Sequence, residues 1–410
     1  MTHSNNTVIH VSDYNAEPDD GVDDTQAIQQ AIEASRAANV HVIAFDPGVY
    51  NLKSPSVETA MLHIHQIKNV KLQGAVDQNG KPATIFQANL ALANDVTGED
   101  GAGHLLIEQS KNVTIENIIL DYFPRFGTAG EIVSVDEATD TVTVDVLPGM
   151  PHFDGMRAYS ANAWDLTTKD LIEVDALTIG TDKTKFENTW QQVPGYERRY
   201  QISGMNFSHL VEVGQGMSWH FNVIGPNPST RIMESHNIKL NNVSIYNTLE
   251  IGILAGYNKN LTFTNVRFEP EGNSLAVGPR DAFHLSNNSG KLLMDGVYVK
   301  GVRWDPINSR SRMIEVTEIL SENQIRGEYY LLRHVPLKAG DKVVFFSGDR
   351  PVEREIASAI SPSDGVYVLT FTENLPEDVQ VHDYFSPLAL TWQEAIVRNS
   401  VFEANFGTAI

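Results

Sequence analysis

The chain has 410 residues, 41% of them hydrophobic and 20% charged, enough to bury a large core and to build more than one module. Its net charge of −22 disfavours nucleic acid, anionic lipid and polyanionic ligands, and suits a neutral ligand such as an uncharged sugar. With no cysteine, disulfide frameworks, thiolate catalysis and thiolate metal sites are excluded. No stretch reaches the roughly 18–20 apolar residues of a membrane span. The opening MTHSNNTVIHVSDY lacks the charged start and apolar run of a signal peptide. That predicts a cytoplasmic location, unless a leader was trimmed from a secreted bacterial protein.

The first element is DDGVDDTQAIQQAIEASRAANVHVIAFDPGVYNL. Asp23 followed three residues later by Gln26 is a capping-box pattern, and Ile28, Ala31, Ile32 and Ser35 share one helical face. The phrase resembles the N-terminal segment of many pectate-lyase-like β-helices, where a short helix covers the open end of a strand stack. Asp13, Asp19, Asp20, Asp23 and Asp24 read as turn and cap residues in preference to a calcium loop.

One phrase then recurs: a polar residue, an Asn, and alternating apolar positions. It appears as KNVKLQG (68–74), KNVTIENIIL (111–120), HNIKLNNVSIY (236–246) and KNLTFTNVRF (259–268). Weaker copies are GKLLMDGVYV (290–299) and AIVRNSVFEANF (395–406). Period-two alternation with β-branched residues is strand patterning, and Asn237 and Asn260 are 23 residues apart. Strands recurring at that interval predict a solenoid of parallel strands, with each Asn at a turn where left-handed backbone is tolerated and side-chain amides stack. His63 and His65 fall on one face of an early strand and read as ordinary strand histidines, since no third metal ligand lies near.

Two stretches interrupt the repeat. Residues 128–230 contain the hairpin EIVSVDEATDTVTVDV, and residues 310–392 contain DKVVFFSG, VEREIASAI and GVYVLTFTENLP. The expected fold is all-β: a right-handed parallel β-helix with two inserted antiparallel β-barrel subdomains. Residues 1–127 carry the cap helix and first coils, 128–230 the first barrel, 231–309 the central coils, 310–392 the second barrel and 393–410 the resumed coil. The phrase returns after Thr391 and the chain stops within it, so it reads as truncated at Ile410. Trp164, His209, Trp219 and His220 are expected in the core of the first barrel, and Arg198 and Arg199 in a solvated turn.

The central coils hold PRDAFHLSNNSGKLLMDGVYVKGVRWDPIN, with Asp281 and Asp305 separated by 24 residues. In a β-helix, residues one coil apart on one face lie about 4.8 Å apart, so the two aspartates become neighbours. Stacked carboxylates repel unless a metal, a shared proton or a substrate uses them. Paired carboxylates across a glycosidic bond are the usual glycosidase machinery. Two unrelated turn aspartates in an acidic chain remain the alternative. Arg280 and Arg303 flank the pair and either hold it ionised, bind an anionic sugar, or balance surface charge.

The run NTLEIGILAGYNKNLTFTNVRFEPEGNSLAVGPRDAFHLSNNSGKLLMDGVYVKGVRWDPINSR resembles the central coils of glycoside hydrolase family 110, bacterial exo-α-galactosidases that remove terminal α-1,3-linked galactose. The likeness covers most of residues 12–410, and DAFH followed one coil later by DPIN carries it most specifically. The family reads Asp-Ala-Thr-His and then a double-aspartate phrase ending in Asn. Asp281 matches the first carboxylate, His284 the histidine three on, Asp305 the second member of the double aspartate and Asn308 the asparagine. The resemblance implies inversion of a terminal α-galactoside without metal or cofactor, on an oligosaccharide or polysaccharide. Carboxyls roughly 6.5–9.5 Å apart are then required, which a one-coil stack reaches if the side chains splay.

Trp304 stands where the family has the first aspartate of its pair. A tryptophan moves no proton but stacks on a sugar face. Three readings follow: Asp281 and Asp305 suffice; another carboxylate such as Glu250 supplies the missing role; or the site binds sugar without cleaving it. His284, Asn308, Arg280, Arg303 and Glu250 are candidate substrate-binding groups, and a β-helix lyase or epimerase using Arg303 beside the acid stays open.

Overall fold

The computed structural model describes residues 7–36, 40–89, 91–94, 96, 98–174, 177, 188–221, 227–329, 336–347 and 350–405. Phe406, the final residue of the last repeat copy, lies outside them.

The repeated phrase folds as parallel strands stacked one coil above another. Lys68–Gln73, Lys111–Phe123, His236–Ile245, Lys259–Thr264, Ser289–Asp295 and Trp392–Arg398 pair in that order. Period-two alternation turns Val70, Val113, Ile238, Leu261 and Leu292 into one buried column, because the register places each directly over the last. The turn asparagines do what the sequence requires of them. Asn69, Asn112, Asn237 and Asn260 all have φ between 54° and 63°. Their side chains form a ladder: Asn112 Nδ2 donates to Asn69 Oδ1 at 2.7 Å, and Asn237 to Asn112 and Asn260 to Asn237 each at 2.8 Å. On the next coil Gly290, φ 73°, takes the position, since a Cβ there would lie 2.2 Å from Asn260 Oδ1.

A second parallel wall carries the site. Its order is Ala60–His65, Gly103–Glu108, Thr230–Met233, Ile253–Gly256, Phe283–Ser286 and Ile307–Arg310. The helix Thr25–Ala34 buries Ile28, Ala31 and Ile32. It covers the edge of this wall through Gln29, which exchanges bonds with His63 N and O at 2.9 and 3.0 Å. It starts later than the capping-box pattern places it. Asp24 is the residue before the first turn, Asp23 accepts from the Thr25 amide at 3.1 Å, and Asp24 reaches away to the amides of Glu17 and Asn51.

Both interruptions are antiparallel. The first forms a six-stranded sheet in the order Tyr159–Trp164, Gly216–His220, Gly127–Asp136, Thr141–Val146, Arg199–Ser203 and Gln191–Gln192. The second closes into a barrel of Ile314–Ser321, Gln324–Tyr329, Val366–Phe371, Val352–Ser363, Lys342–Phe345 and Tyr384–Pro387. The core of the first insertion is continuous with that of the helix, whereas the barrel has its own, centred on Phe345, Phe371 and Phe385.

Candidate active site

Three successive rungs of the second wall bring the candidate residues together. Ile253 pairs with Phe283, and Phe283 with Ile307. The bonds Gly252 N to Asp281 O at 2.9 Å and Ala282 N to Asp305 O at 3.0 Å carry the register back toward the rung starts. Counting back along each rung aligns Glu250, Arg280 and Trp304 in one column and Ile251, Asp281 and Asp305 in the next. Gly252 is needed for this closeness, since a Cβ there would lie 2.1 Å from the Phe268 ring.

The two aspartates are neighbours, as their interval requires, but they differ in environment. The Asp281 side chain has 0% exposure, and both of its oxygens are engaged. Oδ2 lies 2.7 Å from His284 Nδ1, and Oδ1 accepts from the Asp305 amide at 3.3 Å. Asp305 is half-buried, and Asn308 Nδ2 donates to its Oδ2 at 3.1 Å. Splaying of the pair to an inverting separation is therefore not available to Asp281, which is pinned from both sides.

His284 links this pair to an arginine absent from the sequence-level candidates. Arg310 Nη2 lies 3.1 Å from His284 Nε2. A guanidinium only donates, so Nε2 must accept and the ring proton sits on Nδ1, facing the Asp281 carboxylate. Period two would have pointed to Arg310: it is two residues beyond Asn308 on the rung, paired with Ser286. Arg231, one rung below Leu254 in the His284 column, was also missed.

In the other column Arg280 Nη1 donates to Glu250 Oε1 at 2.9 Å, and its guanidinium lies 4.5 Å from the centroid of the Trp304 ring. Glu250 is 9% exposed, and burial raises its pKa above the ordinary glutamate value despite the opposing charges of Arg280, Arg231 and His284. Trp304 is half-buried. Arg303 is buried, and desolvation lowers its pKa to about 10.

The first insertion packs on the coil leading into the site. Ser160 Oγ donates to Pro279 O at 3.4 Å, Phe126 N to Asn247 Oδ1 at 2.8 Å and Asn247 Nδ2 to Val277 O at 3.0 Å. Trp164, Trp219 and His220 are buried inside it, with Trp219 stacked on Trp190 at 4.5 Å and the His220 pKa driven down to about 3 by burial. His209 is exposed. His63 and His65 stack at 5.1 Å and face Glu108 and Gln109. No group of three metal-ligating side chains occurs among the described residues.

The chain is 21% identical to alpha-1,3-galactosidase A of Bacteroides fragilis over 96% of its own length and 67% of that protein's. It is 22% identical to alpha-1,3-galactosidase B of Bacteroides thetaiotaomicron over 78% of its length and 54% of the relative's. Among solved structures, the A-module of mannuronan C-5 epimerase AlgE6 from Azotobacter vinelandii aligns over 73% of this chain and 58% of its own, with 15% identity and a TM-score of 0.35. The family model described as rhamnogalacturonase A/epimerase, pectate lyase-like matches residues 8–279, ending one residue before Arg280. Two thirds of the chain thus carries the family pattern, and the protein belongs to the rhamnogalacturonase A/epimerase, pectate lyase-like family.

Proposed function

We propose that the chain is an exo-acting glycoside hydrolase that releases terminal α-linked galactose with inversion, on the wall formed by Trp304, Asp305 and Asn308. The observation that carries this is Asp305: a half-buried carboxylate oriented by Asn308 at 3.1 Å, beside an aromatic ring able to stack on the sugar. The relatives named alpha-1,3-galactosidases support the choice of sugar and linkage. In the proposed reaction Asp305 is the base. It takes a proton from a water that attacks the anomeric carbon on the face opposite the departing oxygen. Asp281 does not touch the sugar. It holds the Asp305 amide on one oxygen and fixes the His284 tautomer with the other. Arg280 lies over the Trp304 ring.

The test is release of galactose from an α-1,3-linked galactose disaccharide, followed by NMR at early times. β-Galactose should appear first, and Asp305→Asn should lower kcat/KM about 10²–10⁴-fold. α-Galactose as the first product would overturn inversion. Tight disaccharide binding without turnover, weakened by Trp304→Ala, would replace the hydrolase with a sugar-binding protein. An unsaturated uronate product would point to a lyase.

A further inference from the structure

With tryptophan at position 304, the proposed hydrolysis lacks a proton donor for the leaving group. We propose that Glu250, two rungs from Asp305, is the general acid that protonates the departing glycosidic oxygen. This assignment rests on the hydrolase reading above.

Elimination among the groups on these rungs leads to it. Asp281 has no exposed surface and both oxygens occupied. The Nδ1 proton of His284 is directed at Asp281, and Nε2 is covered by Arg310. Arg303 is buried. Asp305 is already needed as base, since one carboxylate cannot take the proton of the attacking water and protonate the opposite face in the same step. Glu250 remains, and it shares a column with Trp304, joined to it through Arg280 by contacts of 2.9 and 4.5 Å.

Spacing supports the same pair. Adjacent rungs stand about 4.8 Å apart, so Asp281 and Asp305 start near the roughly 5–5.5 Å of retaining enzymes, with no room for a water between them. Glu250 lies two rungs from Trp304, the neighbour of Asp305, so the Glu250 and Asp305 backbones stand roughly 10 Å apart, and side chains turned toward each other bring the carboxyls into the roughly 6.5–9.5 Å of inverting pairs. Burial also shifts Glu250 toward the protonated form that an acid needs. Its pKa is raised chiefly by desolvation and further by the Asp281 charge, against Arg280, Arg231 and His284, which oppose it.

The step balances without a co-reactant. The bond from the anomeric carbon to the glycosidic oxygen breaks as that oxygen takes the Glu250 proton. Water supplies the new oxygen and loses its proton to Asp305. Exchange with solvent then restores the Glu250 acid and the Asp305 carboxylate.

Glu250→Gln is assayed on the α-1,3-linked disaccharide and on 2,4-dinitrophenyl α-galactoside, whose leaving group needs no proton. Disaccharide kcat/KM should fall about 10²–10⁴-fold, while the dinitrophenyl substrate changes less than about 10-fold. Glu250→Asp, which keeps a proton to give, should recover part of the disaccharide activity. The alkaline limb of the disaccharide pH profile should be absent for the dinitrophenyl substrate. Asp305→Asn should lower both substrates alike. Equal losses on both substrates in Glu250→Gln, unrelieved in Glu250→Asp, would overturn the assignment and make Glu250 a structural anchor for Arg280. Undiminished disaccharide cleavage in Glu250→Gln would overturn it too. Wild-type protein inert on both galactosides would instead sink the hydrolase reading, and this one with it.

Discussion

The contact between Asp281 and His284 fixes which imidazole nitrogen carries the proton, and Arg310 depends on that choice. Asp281→Asn therefore does more than remove a charge. The amide keeps an oxygen for the Asp305 backbone but turns an N–H toward the Nδ1 proton, or else forces the ring to shift its proton to Nε2, against Arg310. Either way a buried donor is left unpaired, which costs about 1–3 kcal/mol. A urea melt should register that loss, and a melt superimposable on wild type would contradict the network. Asp24 provides a pH-dependent counterpart far from the site. Burial raises its pKa from 3.8 to about 6, so the fold holds the proton more tightly than the unfolded chain. Its contribution to stability is full below about pH 4 and is lost as pH rises through about 6. Asp24→Asn should flatten that part of the stability curve, and an unchanged slope would assign the pH dependence elsewhere. The three-residue spacing of Asp281 to His284 in DAFH and of Asp305 to Asn308 in DPIN was legible, while the contact made within each couple appears only in the fold. Glu250 was harder to place. Its rung lies 30 residues before the next, against 24 for the following one, because the turn at 270–279 is longer, and no sequence interval reveals that.

At the scale of the element, the asparagine ladder converts a local backbone preference into coil-to-coil register. Asn237 donates to Asn112 and accepts from Asn260, at φ 54°. Replacement by Gly keeps the left-handed backbone and removes only the amide contacts, whereas Ala removes the contacts and adds strain. Asn237→Ala should thus cost about 1–3 kcal/mol, more than Asn237→Gly. Equal denaturation midpoints for the two variants would show that the backbone conformation carries no penalty. The phrase that builds this ladder could be read directly because side chain, turn and strand alternation all repeat together. The start of the cap helix could not. The capping-box spacing to Gln26 favours Asp23, and the helix instead begins after Asp24, whose side chain is held by long-range bonds to the amides of Glu17 and Asn51.

Across the whole molecule, two insertions with similar strand patterning are joined to the solenoid in different ways. Trp164, Trp219, Ile132 and Val144 of the first belong to one continuous apolar core with Leu240 and Phe263 of the helix. The site coil consequently rests on the first insertion, through Ser160 and Asn247. The barrel residues Ile314, Val343, Phe345, Ile356, Leu369, Phe371 and Phe385 form a separate core. Strand alternation cannot distinguish these cases, since it records which face is apolar and not what that face meets. The separation makes a directional prediction. Phe385 lies 5.0 Å from Phe345 in the barrel centre, and truncating such a side chain costs about 3–5 kcal/mol. In Phe385→Ala, hydrogen exchange should accelerate through Ile314–Ser321, Gln324–Tyr329 and Val366–Phe371. Protection in Ile253–Gly256 and Phe283–Ser286 should persist. If the site rungs lose protection to the same extent, the barrel and the helix unfold as one cooperative unit despite their separate cores, coupled through the connecting residues, where Arg312 N donates to Asn287 Oδ1 at 2.8 Å.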